Sequence, residues 1–282
     1  MIVRAAPIIG KSADSFNRHQ VIWKRRFVAH FGLSVDSAVD VWEIVQEWFI
    51  AVGLKKVCFL WALYFLKVYP TESTAASKFN TSETNWRVKV KLAMDCFQQM
   101  EEIHFDDRFE NWNHLEPSCY VDGTDVLVTE THPQDADLFS HKFHHAGYRY
   151  QVATALGCSK IVWVDGGVPC GSWPDLKMVR HGILGEIGPN EKVAADQGYC
   201  GDDQIMTKLH GRDAATRDHN HNLKQMGARH ETVNARLKDF HILRGLYRAN
   251  RNDHYRIFKA VAQITQVKLR REPLYSLDGL LR

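Results

Sequence analysis

Hard cations and phosphoryl chemistry call for carboxylates brought together from separate elements, and several acids here stand where a regular element ends. One is Asp196 in "VAADQGYCGD" (193–202), where Val193, Ala194 and Ala195 read as a buried strand running into an acid and a glycine–aromatic turn. A buried carboxylate without a partner is costly, so such an acid is paired, hydrogen-bonded or bound to metal. Asp122 lies on another strand-like segment, "CYVDGTDVLVT", and Glu231 starts a strongly periodic helix 35 positions after Asp196. A hard divalent cation takes several oxygen ligands. Two such cations about 4 Å apart activate one oxygen and stabilise another during an in-line phosphoryl displacement. Three acids from distant segments can build that site. Composition does not choose these three among 33 acids, because Asp125, Asp165 and Asp175 also lie near strand ends, where turn and cap roles are ordinary.

Other chemistries find less support. "HKFHH" offers His141, His144 and His145, but no cysteine or further histidine stands at zinc-ligand spacing; Lys142 among them is a candidate nucleic-acid contact. "HETVN" lacks the second histidine of a zinc protease helix, and "WVDGGVPCGSWPD" is not a nucleotide phosphate-binding loop. Cys170 has no base at hand and reads as a buried thiol. Asp175 reads as a first-turn acid that favours its helix dipole.

The elements that must position these groups come from a chain of 282 residues, 45% hydrophobic and 24% charged. That composition is ordinary for a soluble globular protein, and the length suits one large domain or a medium domain with an appendage. The longest apolar run, Val57 to Leu66, is too short to span a bilayer, so no membrane is expected. The N-terminal "MIVRAAPIIGKSADSF" lacks a sustained apolar core, which argues against a secretory signal. Six cysteines without a CxxC pair argue against a disulfide framework and a zinc finger, and for a reducing compartment. Net charge is +1 over residues 1–110, −5 over 111–200 and +7 over 201–282. A central acidic segment beside a basic C-terminal third suits a carboxylate metal site next to a polyanion-binding surface.

Residues 1–110 read as helical. Apolar positions 35, 38, 39, 42, 45 and 49 follow a helical period, and "KKVCFLWALYFLK" reads as a buried helix. Thr71 is a good N-cap for a short helix Glu72–Lys78, and Asn80 with Glu83 resembles a capping box opening a longer helix to about Ile103. Short helix, tight turn and longer helix, within about 55–104, is the helix-turn-helix pattern. On its second helix Trp86, Arg87, Lys89 and Lys91 are candidates to approach bases and phosphates. Near residue 118 the period changes. "CYVDGTDVLVT", "YRYQVATAL", "KIVWVDG" and "EKVAAD" read as strands, "SWPDLKMVRHGIL" and "ARHETVNARLKDFHILRGLYR" as helices, and 210–222 as a polar loop. Together these make an α/β fold.

Five blocks in order, "YVDGTDVLVTE", "FSHKFHHAGYRYQVATAL", "KIVWVDGGVPCGSWPDL", "EKVAADQGYCG" and "ARHETVNARLKDFHIL", resemble a DDE superfamily endonuclease of the PIF/Harbinger type. The resemblance covers about 115–272 and implies a ribonuclease-H-like catalytic core preceded by the helical region 1–110. It assigns the metal-binding catalytic acids to Asp122, Asp196 and Glu231, with Mg²⁺ or Mn²⁺ as cofactor. It implies double-stranded DNA as substrate, cut and joined by two-metal phosphoryl transfer. It also implies a nuclear location, and allows a separate Myb-like DNA-binding partner and a homo-oligomer. Glu231, Asn234, Ala235 and Lys238 share one helix stripe, so Lys238 is a candidate phosphate contact. Arg229 is a second, and Arg236 reads as structural. A non-cutting, domesticated DNA-binding protein and a cellular nuclease acting on RNA or hybrids are the alternatives.

Overall fold

The structure, a computed structural model, describes residues 1–12 and 19–277; the N-terminal reading above extends into 13–16, outside the described residues. The chain divides into two compact units. The first holds Met1–Glu102, Leu237–Gly245 and Arg256–Arg271; the second holds Ile103–Arg236, Leu246–Tyr255 and the chain from Glu272 onward.

The first unit is helical: α1 (Ile2–Ala5), α2 (Gln20–Phe31), α3 (Val35–Ala51), α4 (Lys56–Val68), α5 (Glu72–Phe79) and α6 (Glu83–Phe97). Helix α3 starts where the Ser34 hydroxyl accepts from the Ser37 N–H, satisfying a donor that the first turn would otherwise leave unpaired. It buries Ala38, Val41, Trp42, Val45 and Phe49 along one face. Trp42, Phe49, Phe59 and Phe97 form an aromatic core, with Phe49 and Phe59 centroids 5.9 Å apart. Helix α2 stops at Gly32, whose φ of 76° favours glycine and whose missing side chain leaves room for the Phe240 ring, 2.7 Å from where a Cβ would stand.

Helices α5 and α6 are the expected pair, joined by Asn80–Ser82, with two amendments. Asn80 ends α5 in the left-handed conformation rather than opening α6, and Ser82 caps α6 by accepting from the Asn85 N–H. Helix α6 ends at Phe97, short of Ile103. The side chains differ more from expectation. Trp86 is buried and stacks on Phe79 at 5.0 Å, so it holds the pair together instead of meeting a base. Arg87 makes a two-pronged ion pair with Glu72 of α5. Lys89 lies two residues from both Arg87 and Lys91, about 200° round the helix, and its charge acts on Cys58 of α4. The three cations therefore do not share one face.

The sequence-based division at 110–115 also changes. Two segments inside the expected 115–272 domain belong to the helical unit: α9 (His241–Arg244) and most of the long helix α10 (His254–Arg271). Within that unit the Gln263 side chain accepts from the Glu102 N–H at 2.8 Å, and Arg271 grips Asp40 with two hydrogen bonds.

The second unit is built on a mixed sheet. Strands β1 (Cys119–Leu127), β3 (His145–Ala155) and β4 (Ile161–Pro169) form an antiparallel meander; the short β2 (Phe139–Ser140) pairs with the start of β3. On the other side of β1, β5 (Val193–Ala194) and β6 (Ile205–Met206) add in parallel. Successive strand residues point to opposite faces, and the sheet is covered on both. On one face Cys119, Val121 and Ala153 pack with Val179 of α7 (Asp175–His181). On the other, Tyr120 and Ala194 pack with Leu223 and Met226 of α8 (Ala214–Lys238). Helix α8 begins well before the expected start: 214–222 is helix, not loop. Asp213 caps it by accepting from both the N–H and the hydroxyl of Thr216, and local capping of this kind outweighs the low apolar content of the first turns. The helix also stops at Lys238 rather than running to Arg248.

Candidate active site

Asp122, Asp196 and Glu231 come from three elements of the second unit. The only bridge between β1 and β5 pairs Tyr120 with Ala194. Asp122 and Asp196 each stand two residues beyond it, level with one another where the parallel pair ends. The opening stretch is thereby explained: Val193–Ala195 are buried, and Asp196 is the first exposed residue after them. Its carboxylate accepts from the Gly198 N–H at 2.8 Å, which holds it at the turn. Asp122 points to the α8 face of the sheet. Its Oδ1 accepts from the Gly123 N–H and its Oδ2 accepts from the Asn234 side chain at 3.3 Å. Asn234 is one turn past Glu231 on α8, so the same helix bonds one acid and supplies another.

The electrostatics show how closely these groups act on each other. Burial first, then the charges of Asp196, Glu231 and Asp175, push the Asp122 carboxyl up to about 7. Asp122, Asp196 and Glu231 in turn help to push the buried Tyr120 phenol upward, after burial itself. Among the described residues no group of three His, Cys, Asp or Glu side chains is placed to hold a metal ion. The Asn234 side chain that bonds Asp122 keeps its own Oδ1 buried without a hydrogen-bond partner.

Asp175 occupies the first turn of α7, as expected from the sequence, with a further role. Its Oδ1 lies 2.8 Å from where a Cβ at Gly123 would stand, so a side chain after Asp122 would push the Asp175 carboxylate aside. Arg149 holds it at 3.3 Å. Asp125 is not a spare ligand: it is buried and gripped by Arg149 and Ser140. Lys142 is exposed on the rim, and its charge acts on Asp175.

The structure separates the other cations. Arg229, expected at phosphate, is buried. It donates to the carbonyls of Tyr275, Ala155 and Cys158. Two residues before Glu231, it lies about 160° round the helix and faces inward as a clamp. Arg236 donates to the Glu272 carbonyl, a structural role in agreement with its sequence reading. Lys238 ends α8, seven residues beyond Glu231, and is half-buried. His141 and His144 border a hollow with Phe139 and Glu130. Asn234 is the residue that sequence reasoning passed over; its spacing of three from Glu231 was the available signal.

Arg229→Lys is expected to cost about 2–4 kcal/mol of stability, because an ammonium cannot reach three carbonyls as the planar fork does. The slope of log-affinity for DNA against log-salt should stay unchanged. Urea unfolding and a salt titration on the same preparation check both; a shallower slope at wild-type stability would return Arg229 to the phosphate-contact role.

A family model described as DDE superfamily endonuclease matches residues 121–266, just over half of the chain. Comparison with curated proteins and with solved structures finds no match.

Proposed function

The chain belongs to the DDE superfamily endonuclease family, and from that premise we propose that it is a metal-dependent DNA endonuclease of the PIF/Harbinger transposase type, which cuts DNA and joins the freed 3′ hydroxyl to a target strand. The observation that supports this reading is geometric: Asp122 and Asp196 stand level beyond the Tyr120–Ala194 bridge, and Asn234, one turn from Glu231, bonds Asp122. The sheet order, three antiparallel strands followed by two parallel ones beside β1, supports the ribonuclease-H-like reading of the core.

By their chemistry the oxygens of these acids suit a hard divalent cation, although no three of them among the described residues are arranged to hold one. Carboxylate oxygens predominate, and the unpartnered, buried Asn234 Oδ1 is a further oxygen at the same place. Asp122, Asp196 and Glu231 would hold Mg²⁺ or Mn²⁺. When bound, such ions lower the pKa of an attacking water and stabilise charge on the leaving oxygen. The protein's own groups do the rest. Gly198 N–H and the Asn234 amide fix two of the carboxylates. Lys142 offers a positive charge on the rim for a flanking phosphate. Helices α5 and α6, with Lys91 exposed on α6, are proposed as a DNA-binding helix-turn-helix. A Myb-like partner, self-association and a nuclear location accompany the family reading.

The test is nicking of duplex DNA that carries the flanking repeats of the protein's own locus, with Mg²⁺, Mn²⁺ or EDTA. Metal-dependent nicks are expected. Protein that binds this DNA and never nicks it would mark a domesticated binding factor, and a preference for RNA or hybrids would mark a cellular nuclease.

A further inference from the structure

Helix α8 carries a surface that the acids do not account for. Arg217, His221, Lys224, Ala228, Glu231 and Ala235 are all exposed, in steps of four and three residues. At about 100° per residue they stay within roughly 80° of the Glu231 direction, which makes one continuous stripe. Lys224 stands about 10 Å and Arg217 about 21 Å along the axis from Glu231, at a rise of about 1.5 Å per residue. No carboxylate among the described residues pairs with Arg217 or Lys224. Asp213 is spent on Thr216, and Asp218 lies about 140° round the helix from Glu231.

The preceding loop is tied to this helix rather than free. The Asn220 amide both donates to the Leu209 carbonyl and accepts from its N–H, each at 2.9 Å. The His219 ring bonds the Thr207 carbonyl at 2.9 Å. Exposed Lys208 lies between the two tethered residues, and exposed Arg212 directly precedes the helix cap Asp213. Ala228 and Ala235, on either side of Glu231, present only methyl groups, so a partner can approach the acid without displacing a long side chain.

We propose that this stripe is the duplex track of the nuclease unit. Arg217 and Lys224, flanked by Lys208 and Arg212, hold the phosphates of DNA on one side of the cleaved bond and lead the strand over Ala228 to Glu231. The assignment rests on the reading of the protein as a DNA endonuclease. The spacing suits a duplex: Arg217 and Lys224 are about 10 Å apart along the helix, close to three base-pair steps of about 3.4 Å rise along the duplex axis.

The experiment compares wild type, Arg217→Gln/Lys224→Gln, Arg217→Glu/Lys224→Glu and the charge-keeping Arg217→Lys/Lys224→Arg, all in the full chain. Affinity for a 30-base-pair duplex is measured from 50 to 300 mM salt, with circular dichroism melts and calorimetric Mn²⁺ binding alongside. Each lost phosphate contact makes the log–log slope shallower by about 0.9. The glutamine pair should therefore lose nearly two units of slope and roughly 50-fold in affinity at 0.1 M salt, with the melt and Mn²⁺ binding unchanged. The glutamate pair should bind more weakly still, and the charge-keeping pair should match wild type. Wild-type slope in the glutamine and glutamate pairs overturns the track. Greater weakening on RNA or hybrid than on DNA overturns duplex DNA as its occupant. Wild type that binds no DNA at all instead removes the functional reading on which the track rests.

Discussion

Asp196→Asn is expected to abolish metal-dependent nicking and leave DNA binding intact. Asparagine keeps the shape and one oxygen of aspartate but removes the negative charge that a divalent cation requires. Loss of an outer-shell partner already costs about 10–100-fold in metal affinity or activity. Loss of a direct carboxylate ligand should exceed that and leave nicking at background. The fold should persist for a local reason. Asp196 is exposed, and its structural task is to accept from the Gly198 N–H at 2.8 Å, which an asparagine oxygen also does. The substitution further removes one of the charges that push Asp122 upward, a relief of like-charge repulsion in the metal-free state. DNA binding should persist or tighten slightly, because the surface loses a negative charge near the duplex. Mn²⁺-dependent nicking and gel-shift affinity, measured in one buffer on wild type and variant, check the pair of expectations. Nicking at the wild-type rate would leave Asp196 as a turn cap only.

The second large effect belongs to stability. Arg149→Leu is expected to cost about 3–5 kcal/mol, the range for a buried ion pair that loses one partner. Arg149 reaches Asp125 with Nε at 2.8 Å and Nη2 at 3.0 Å, and donates to the Trp173 carbonyl at 3.2 Å. The Asp125 side chain is only 3% exposed. Burial alone would raise its pKa; the hydrogen bonds and charge of Arg149, with the Ser140 hydroxyl, hold it below the ordinary carboxylate range instead. The sign of the pH dependence follows. In the wild type this group adds stability above its unfolded pKa, and the contribution is lost as pH falls through the lower folded value. Without Arg149 the folded pKa rises above the unfolded one, so the penalty is relieved at low pH and grows as pH rises. The deficit relative to wild type should therefore be larger at pH 8 than at pH 5. Adding Asp125→Asn to Arg149→Leu should recover part of it at pH 8. Urea midpoints at the two pH values provide the measurement. A deficit under about 1 kcal/mol would show that Ser140 and solvent satisfy Asp125 on their own.

Several features were legible from residue order because their causes are local. The cap Thr71, the strand patterns of "CYVDGTDVLVT" and "KIVWVDG", and the glycine turn after Asp196 each act within a few residues, and such signals survive in any tertiary setting. The choice of Asp122, Asp196 and Glu231 came from a resemblance across five blocks, since periodicity treats all strand-end acids alike. The tertiary structure decided the rest. Asp122 and Asp196 stand level because Tyr120 pairs with Ala194 across β1 and β5, and a strand does not name its neighbour. Arg229 and Glu231 are two residues apart in sequence and on opposite sides of α8, one a buried clamp and the other exposed. The carbonyls that bury Arg229 come from Ala155, Cys158 and Tyr275, far away along the chain. The same holds for Arg87, neutralised by Glu72 fifteen residues earlier, and for residues 214–222, polar enough to read as loop until Asp213 and Asn220 tie them into α8. A charged side chain takes its role from the partners that desolvate it, and those partners are brought near only by folding.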